Sequence, residues 1–480
     1  MGFTAALLSK TGSDVSAQLR RMLRMASPAA GEGYGIATPE GAVYLTAPES
    51  PSEYGSNVML GHKLFVIRPN DPPQPINQHG YSLTFDGRLW NLQGASDFAG
   101  AADVLGQDPE EGVGRLIEDG GGSFAVAVAD GDRILCGRDP VGVVPLYIGE
   151  STSLVGVASN RKMLHSVGIG ARPLPPGCAA EITRGGVRIR PVRILSNTPT
   201  RDVAIEDALD ELDALLLGAV EARSKGVHSA SLGFSGGIDS SLLAYYLDRC
   251  GVEVDLICVG LAGSAFEEAE EAAESLGLPI RLESYTLKDV EECLTEVLDS
   301  VEEPDPMKIG VALPIFWAAE SAVKHGNRIF YSGCGSDEIF GGYHKYIQEY
   351  AEFGGRVKEM MFRDVVTSHE VNFERDYKVC ADMGVELRLP FADLKLIEFG
   401  LALPIEYKFS KDGSVRKLLL RELAKMKGLS EAIVSRRKRA VQYSTGVSRA
   451  LRKLAKREGT TLKRYLAEVF NGIEGGWREG

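Results

Sequence analysis

One stretch, LGFSGGIDSSLLAYYL at residues 232–247, limits what this chain can fold into more than any other. An apolar strand ends at Phe234, then Ser235, Gly236 and Gly237 make a turn, and an amphipathic helix opens at Ser240. Backbone N–H groups of a glycine-rich turn at a helix N-terminus bind an anion without any charged side chain. Glycine also lets the backbone come close to that anion. Ser235, Ser240 and Ser241 add hydroxyl donors. Asp239 is an oxygen ligand of the kind that holds Mg²⁺ on phosphates. The Gly-Lys-Ser/Thr ending of a Walker loop is absent. The bland alternative is a strand-to-helix turn with no ligand. Against it, strand, turn and helix come in the order that phosphate binding requires.

The residues around the turn alternate in type. Ile205, Leu209, Leu212, Leu215 and Leu216 have helical spacing and predict a helix over 205–223. ASLGF, a helix to about Arg249, the strand VDLICVG and a helix over FEEAEEAAESLG follow. This alternation predicts a parallel α/β sheet, and a helical C-terminal part comes after it. Residues 1 to about 195 differ, with short alternating segments such as GSFAVAVADGDRILCGRD, punctuated by Gly and Asp, that predict a mostly β region. The polar SNTPTRD at 196–202 reads as a linker. The 480 residues therefore divide into expected domains at 1–195 and 203–480.

Composition excludes several classes. The net charge of −13 argues against a general nucleic-acid binder, which needs clustered Lys and Arg. Arg436 to Arg464 is the one densely basic run, with Glu458 its only acid. A solvated helix face is its plain interpretation, polyphosphate binding the sharper one. Seven scattered cysteines with no Cys-x-x-Cys pair suggest neither a zinc ribbon nor a disulfide framework. No apolar run spans a bilayer, and the N-terminus lacks the three-part pattern of a signal peptide. Met1-Gly2 is followed by Ala6 rather than the Ser or Thr of a myristoylation signal. The expected location is the cytoplasm.

The 235–241 turn matches Ser-Gly-Gly-x-Asp-Ser, and so resembles the pyrophosphate-binding loop of the ATP pyrophosphatase superfamily. Its members cleave ATP between the α and β phosphates and adenylate a substrate. IFYSGCGSDEIFGGYHKY at 329–346 resembles the asparagine synthetase pattern Ser-Gly-x-Gly-x-Asp-Glu-x-Phe-Gly-Gly-Tyr. That resemblance implies that Ser332 and Gly333 contact adenylate or substrate and that Asp337, with Asp239, holds the metal–pyrophosphate. It also places Val259, at the end of VDLICVG, among the nucleotide contacts. Glu386, Arg388, Pro390, Phe391 and Asp393 fit the family's next segment, and Glu302 and Asp305 an earlier one, where an Arg of many relatives becomes Gly310. IVSRRKRAVQYSTG at 433–446 is similar to the family's Arg-x-Lys segment and puts Lys438 at its catalytic lysine, a cation aimed at developing charge. The implied substrates are ATP with Mg²⁺, aspartate and ammonia, with β-aspartyl-AMP as intermediate. Homodimerisation is left open.

The first part of the chain resembles the class II glutamine amidotransferase domain through CGRDPVGVVPLYIG at 136–149, GHKLFVI, FDGRLWN, VASNRKML and LPPG. The resemblance implies an Ntn-type four-layer αββα fold, followed by the ATP pyrophosphatase α/β domain. The glutaminase chemistry does not carry over. Gly2 and Phe3 stand where the family has a nucleophilic Cys, and Gly offers no nucleophile. Asp86-Gly87-Arg88 replaces Asn-Gly-Glu, Leu64 replaces an Arg, and Ala101 an Asp. An inactive glutaminase and direct use of ammonia are therefore expected; a start site further upstream that supplies a Cys is the alternative. Cys334 replaces the Glu that many asparagine synthetases carry between the loop glycines, a Glu thought to assist attack by ammonia. β-Lactam synthetases resemble the family, lack both the N-terminal Cys and that Glu, and form the second reading. A tRNA-modifying ATP pyrophosphatase and a non-catalytic binding protein are more distant ones.

Overall fold

A computed structural model describes residues 2–26, 33–48, 55–68, 70–91, 96–119, 121–264, 266–410, 412–436 and 441–479. The chain forms two compact units. The first comprises Met1–Ile194 with Ala381–Gly384 and Ala467–Gly480; the second comprises Leu195–Cys380 and Val385–Leu466.

Among the described residues the first unit holds two antiparallel sheets, one of seven strands and one of six. Gly2–Ser9 lies inside the larger sheet, between Leu154–Ala158 and Val58–Leu64. Tyr81–Leu89 and Gly122–Asp130 pair at the centre of the smaller one. The sheets pack on each other through these strands. Ser16–Arg24 covers the outer face of the first sheet, and Asp97–Leu105 and Pro109–Asp119 cover that of the second. A strand between a helix layer and another sheet is buried on both faces, so every residue of Gly2–Ser9 and of Tyr81–Leu89 is buried. This is the expected αββα arrangement.

The second unit is built on five parallel strands in the spatial order Ile280–Tyr285, Glu253–Leu261, Ser229–Gly233, Ile329–Tyr331, Glu386–Arg388. The order reverses at Ser229–Gly233, which lies between Glu253–Leu261 and the much later Ile329–Tyr331. Open α/β sheets bind ligands outside the carboxyl ends of their strands at such a reversal. Ala230, Leu232, Leu256, Phe330 and Tyr331 are buried along the sheet. Local chemistry sets the helix ends. Thr286 and Asp289 make a capping box for Leu287–Val301, and Asp305 accepts N–H bonds from Met307 and Lys308, both 2.9 Å, ahead of Pro306. Helices make up the unit's last part, from Leu394–Ala402 through Val447–Arg457. No helix among the described residues is long and apolar enough to cross a membrane.

Candidate functional site

The strand before the glycine turn ends at Gly233, and the helix begins at Ile238, two residues before the expected Ser240. Gly237 is its N-cap, with extended ψ 166°. Gly236 has φ 66°. A Cβ there would lie 2.2 Å from Arg436 Nη1 and 2.8 Å from the Glu268 carbonyl, so only glycine fits. Hydroxyls fold the turn onto itself: Ser235 Oγ accepts from Gly237 N–H at 3.3 Å, and Ser240 Oγ donates to the Gly237 carbonyl at 3.2 Å. Among the described residues, the N–H groups of Gly236, Ile238 and Ser240 meet no protein acceptor. Ser241 is fully buried, its Oγ without a bond among the described residues. Val259 lies two residues beyond Ile257, the partner of Gly233, at the carboxyl end of the adjacent strand and opposite Glu283.

The second loop leaves Ile329–Tyr331 and closes on the first. A Cβ on Gly333 would meet Asp239 Cβ at 3.1 Å, so the missing side chain permits the approach. Ser332 Oγ accepts from the Cys334 N–H at 3.3 Å. Gly335, at φ 97°, then opens the short helix Ser336–Phe340, which carries Asp337 and Glu338.

Asp239 and Asp337, from different loops, converge on one cation. Lys417 Nζ lies 2.6 and 2.5 Å from the two Asp239 oxygens and 2.6 Å from Asp337 Oδ1. Ser336 Oγ donates to Asp239 Oδ1 at 2.7 Å and receives from Lys417 at 3.1 Å. Lys417 is 1% exposed and adopts left-handed φ 59°, which costs on the order of 1–2 kcal/mol for a residue with a Cβ. It caps the N-terminus of Leu418–Met426, where the helix dipole disfavours a cation.

Sequence reasoning missed Lys417. A lysine at a helix start was its one faint signal. Arg436, in sequence only the start of the basic run, has a specific place in the fold. It bonds the Glu268 carbonyl at 2.7 Å and the Glu268 carboxylate at 2.5 Å, beside Gly236. Arg421 holds the Arg436 carbonyl at 2.8 Å. Lys438, two residues on, lies outside the described residues.

Glu338 turns away from Asp337. It accepts from Tyr343 Oη at 2.6 Å and from Asn372 Nδ2 at 2.7 Å, and burial, with Asp337 second, pushes its carboxyl up to about 6. Burial, with Asp376 and Glu338 beside it, raises the Cys334 thiol well above its usual range, so it stays a neutral thiol. Glu302 pairs with Lys378 at 2.5 Å, Glu386 with Arg388 at 2.5 Å, and Asp393 with Arg223 at 3.0 Å. Of these family-pattern residues, Glu386 and Arg388 bond to each other, while Glu302 and Asp393 find partners elsewhere in the second unit.

In the first unit, Arg88 chelates Asp71 through contacts of 2.7 and 3.1 Å and reaches Asp97 at 3.2 Å. Burial works against the Asp71 charge, but the Arg88 bonds win and hold its carboxyl at about 2. Asp86 accepts the Gly2 N–H at 2.9 Å. A Cβ on Gly2 would lie 2.0 Å from the Lys63 carbonyl and 2.4 Å from His62 Nε2.

The sequence matches two family models, asparagine synthase over residues 211–354 and 349–472 and the glutamine amidotransferase domain over 62–166. It is 29% identical over 471 residues to a Methanocaldococcus jannaschii protein provisionally named asparagine synthetase 1 (glutamine-hydrolyzing), covering 85% of this chain and 86% of that one. It is also 29% identical over 402 residues to a Brassica oleracea asparagine synthetase (glutamine-hydrolyzing), covering 76% and 67%. Against asparagine synthetase B of Escherichia coli K12 it is 26% identical over 407 residues, covering 78% and 73%.

Proposed function

Because this chain belongs to the asparagine synthase family of ATP-dependent carbon–nitrogen ligases, we propose that its second unit adenylates a carboxylate, aspartate first among candidates, and passes the acyl group to ammonia. The observation that carries this is the meeting of Asp239 and Asp337 on one cation beside a turn in which the Gly236, Ile238 and Ser240 amides meet no acceptor among the described residues.

The turn 235–241 receives the β and γ phosphates through backbone N–H groups and serine hydroxyls. The two carboxylates share one cation at hydrogen-bond distance, so their spacing suits Mg²⁺, which commonly binds through one or two carboxylates plus phosphates. Bound there, Mg²⁺ would neutralise charge on the pyrophosphate leaving group. A carboxylate oxygen of the substrate attacks the α phosphorus, the α–β bridging bond breaks, and pyrophosphate departs. Ammonia nitrogen then attacks the acyl carbon, a proton is lost, and AMP leaves with the bond electrons. The family's lysine, Lys438 by sequence match, is the candidate for stabilising the charge that develops. Val259, Ser332 and Gly333 border the nucleotide and acyl group.

The first unit does not hydrolyse glutamine in this reading. Arg88 already has two carboxylates, Asp86 offers an acceptor where an oxyanion needs a donor, and the backbone and His62 fill the volume of a side chain at position 2. A second reading keeps the adenylation and changes the amine. Cys334 is a neutral thiol where a base for ammonia would stand, and this favours a substrate carrying its own amine, as in β-lactam synthetases.

ATP–pyrophosphate exchange tests both. Aspartate-dependent exchange, with amide formed from ammonium and none from glutamine, is the expected result. Exchange with other carboxylates only would select the second reading. No exchange with any carboxylate would sink the enzymatic proposal.

A further inference from the structure

Lys417 makes more contacts than a structural ion pair needs. Its ammonium hydrogen-bonds both oxygens of Asp239 and Ser336 Oγ, and a fourth oxygen, Asp337 Oδ1, lies in ion-pair contact at 2.6 Å. An ammonium among carboxylate and hydroxyl oxygens stands where a hard divalent cation would stand. Nearby backbone is shaped to let it in. Lys417 takes left-handed φ 59°, and a Cβ on Gly342 would lie 2.5 Å from Lys417 Cε. Both proposed metal carboxylates are therefore already paired with one cation of the chain itself.

We propose that Lys417 is a built-in competitor for the divalent cation. In the nucleotide-free protein its ammonium holds Asp239 and Asp337 together and keeps the metal out. When metal arrives on a polyphosphate, the two carboxylates exchange the ammonium for the metal. The released ammonium is then a counter-charge for the phosphates beside the first turn of Ile238–Arg249. The free metal alone lacks the phosphate contacts that offset the lost Lys417 pairs, so it binds poorly. The site thus selects metal–nucleotide over metal. This rests on the proposed ATP-binding role of the 235–241 turn.

The test uses Mn²⁺ as probe on the full-length protein without nucleotide, with bound ion read by electron paramagnetic resonance. If Lys417 occupies the carboxylates nine-tenths of the time or more, removing it raises the apparent Mn²⁺ affinity at least about tenfold. Lys417→Met is expected to show that gain, and Lys417→Arg, which keeps the charge, to show none. An unchanged affinity in a folded Lys417→Met protein overturns the proposal and leaves the ATP role standing. A measurement on the wild type covers the case in which the variant does not fold. Crystals soaked in Mn²⁺ alone should give no anomalous peak between Asp239 and Asp337, whereas Mn²⁺ with pyrophosphate should give one, with Lys417 Nζ moved off the carboxylates. A peak with Lys417 unmoved overturns the exchange. No peak under either condition removes the ATP role, and this inference with it.

Discussion

Gly342 stands so close to Asp337 that a Cβ on the glycine would lie 1.8 Å from Asp337 Oδ1. The same atom would press on Lys417 Cε. Gly342→Ala must therefore push apart the carboxylate and its cation. Overpacking of this kind costs about 1–3 kcal/mol of stability. The expected outcome is a folded protein with a lowered melting temperature and at least about a tenfold loss of ATP–pyrophosphate exchange, since tenfold corresponds to only 1.4 kcal/mol of misplaced phosphate or metal contact. Exchange kinetics beside a thermal melt check it.

Gly236 sets the shape of the turn, and its Cβ direction is closed by Arg436 and by the Glu268 carbonyl. Gly236→Ala adds left-handed strain to a collision with backbone. ATP affinity should fall by at least about tenfold, equivalent to roughly 1.4 kcal/mol. Isothermal titration with an ATP analogue that resists α–β cleavage measures it. Ser241→Ala, which removes a buried hydroxyl without a protein bond, is expected to leave the fold intact and so separates turn geometry from helix stability.

The first unit offers a gain-of-function test with a negative expected result. Gly2→Cys, alone or with Asp86→Asn and Arg88→Glu, should not create glutaminase activity, because a side chain at position 2 meets the Lys63 carbonyl and the His62 ring. Glutamate release from glutamine should stay at background while the melting temperature drops. A rise in glutamate release would overturn the claim that the Lys63 carbonyl and His62 close the pocket to a side chain at position 2.

Lys408 makes stability depend on pH. It is fully buried, and burial, with Lys358 second, lowers its ammonium to about 7; Nζ donates to the Gly400 carbonyl at 2.6 Å. The unfolded lysine keeps its proton to about 10.4. Between these two values the unfolded chain binds more protons than the folded one, so stability from this group rises with pH from about 7 upward, by at most about 1.4 kcal/mol per pH unit. Below about 7 both forms are protonated and the slope vanishes. Urea unfolding at pH 7, 8 and 9 should show that rise in the wild type and a flatter profile in Lys408→Met.

Much of this protein is written in local sequence. The strand, glycine turn and helix at 232–247 are legible because strand patterning, positive-φ glycines and helix amphipathicity act over a few residues. The parallel sheet follows from alternation, Asp239 and the turn serines are legible as a phosphate site from residue type, and Asp337 from the family resemblance. The departures Gly2, Asp86, Arg88 and Cys334 were visible as single letters.

What required tertiary structure is which charges meet. Lys417 and Asp239 are 178 residues apart, and they meet because Leu418–Met426 packs against Ile238–Arg249. Glu338 is adjacent to Asp337 in sequence, yet the short helix turns it to Tyr343 and Asn372. Arg88 showed a reversed charge in sequence, but only the fold supplied Asp71 and Asp97 to saturate it. Backbone conformation is set by near neighbours and so can be read along the chain. Electrostatic partnership is set by distance in space, which a linear sequence does not contain.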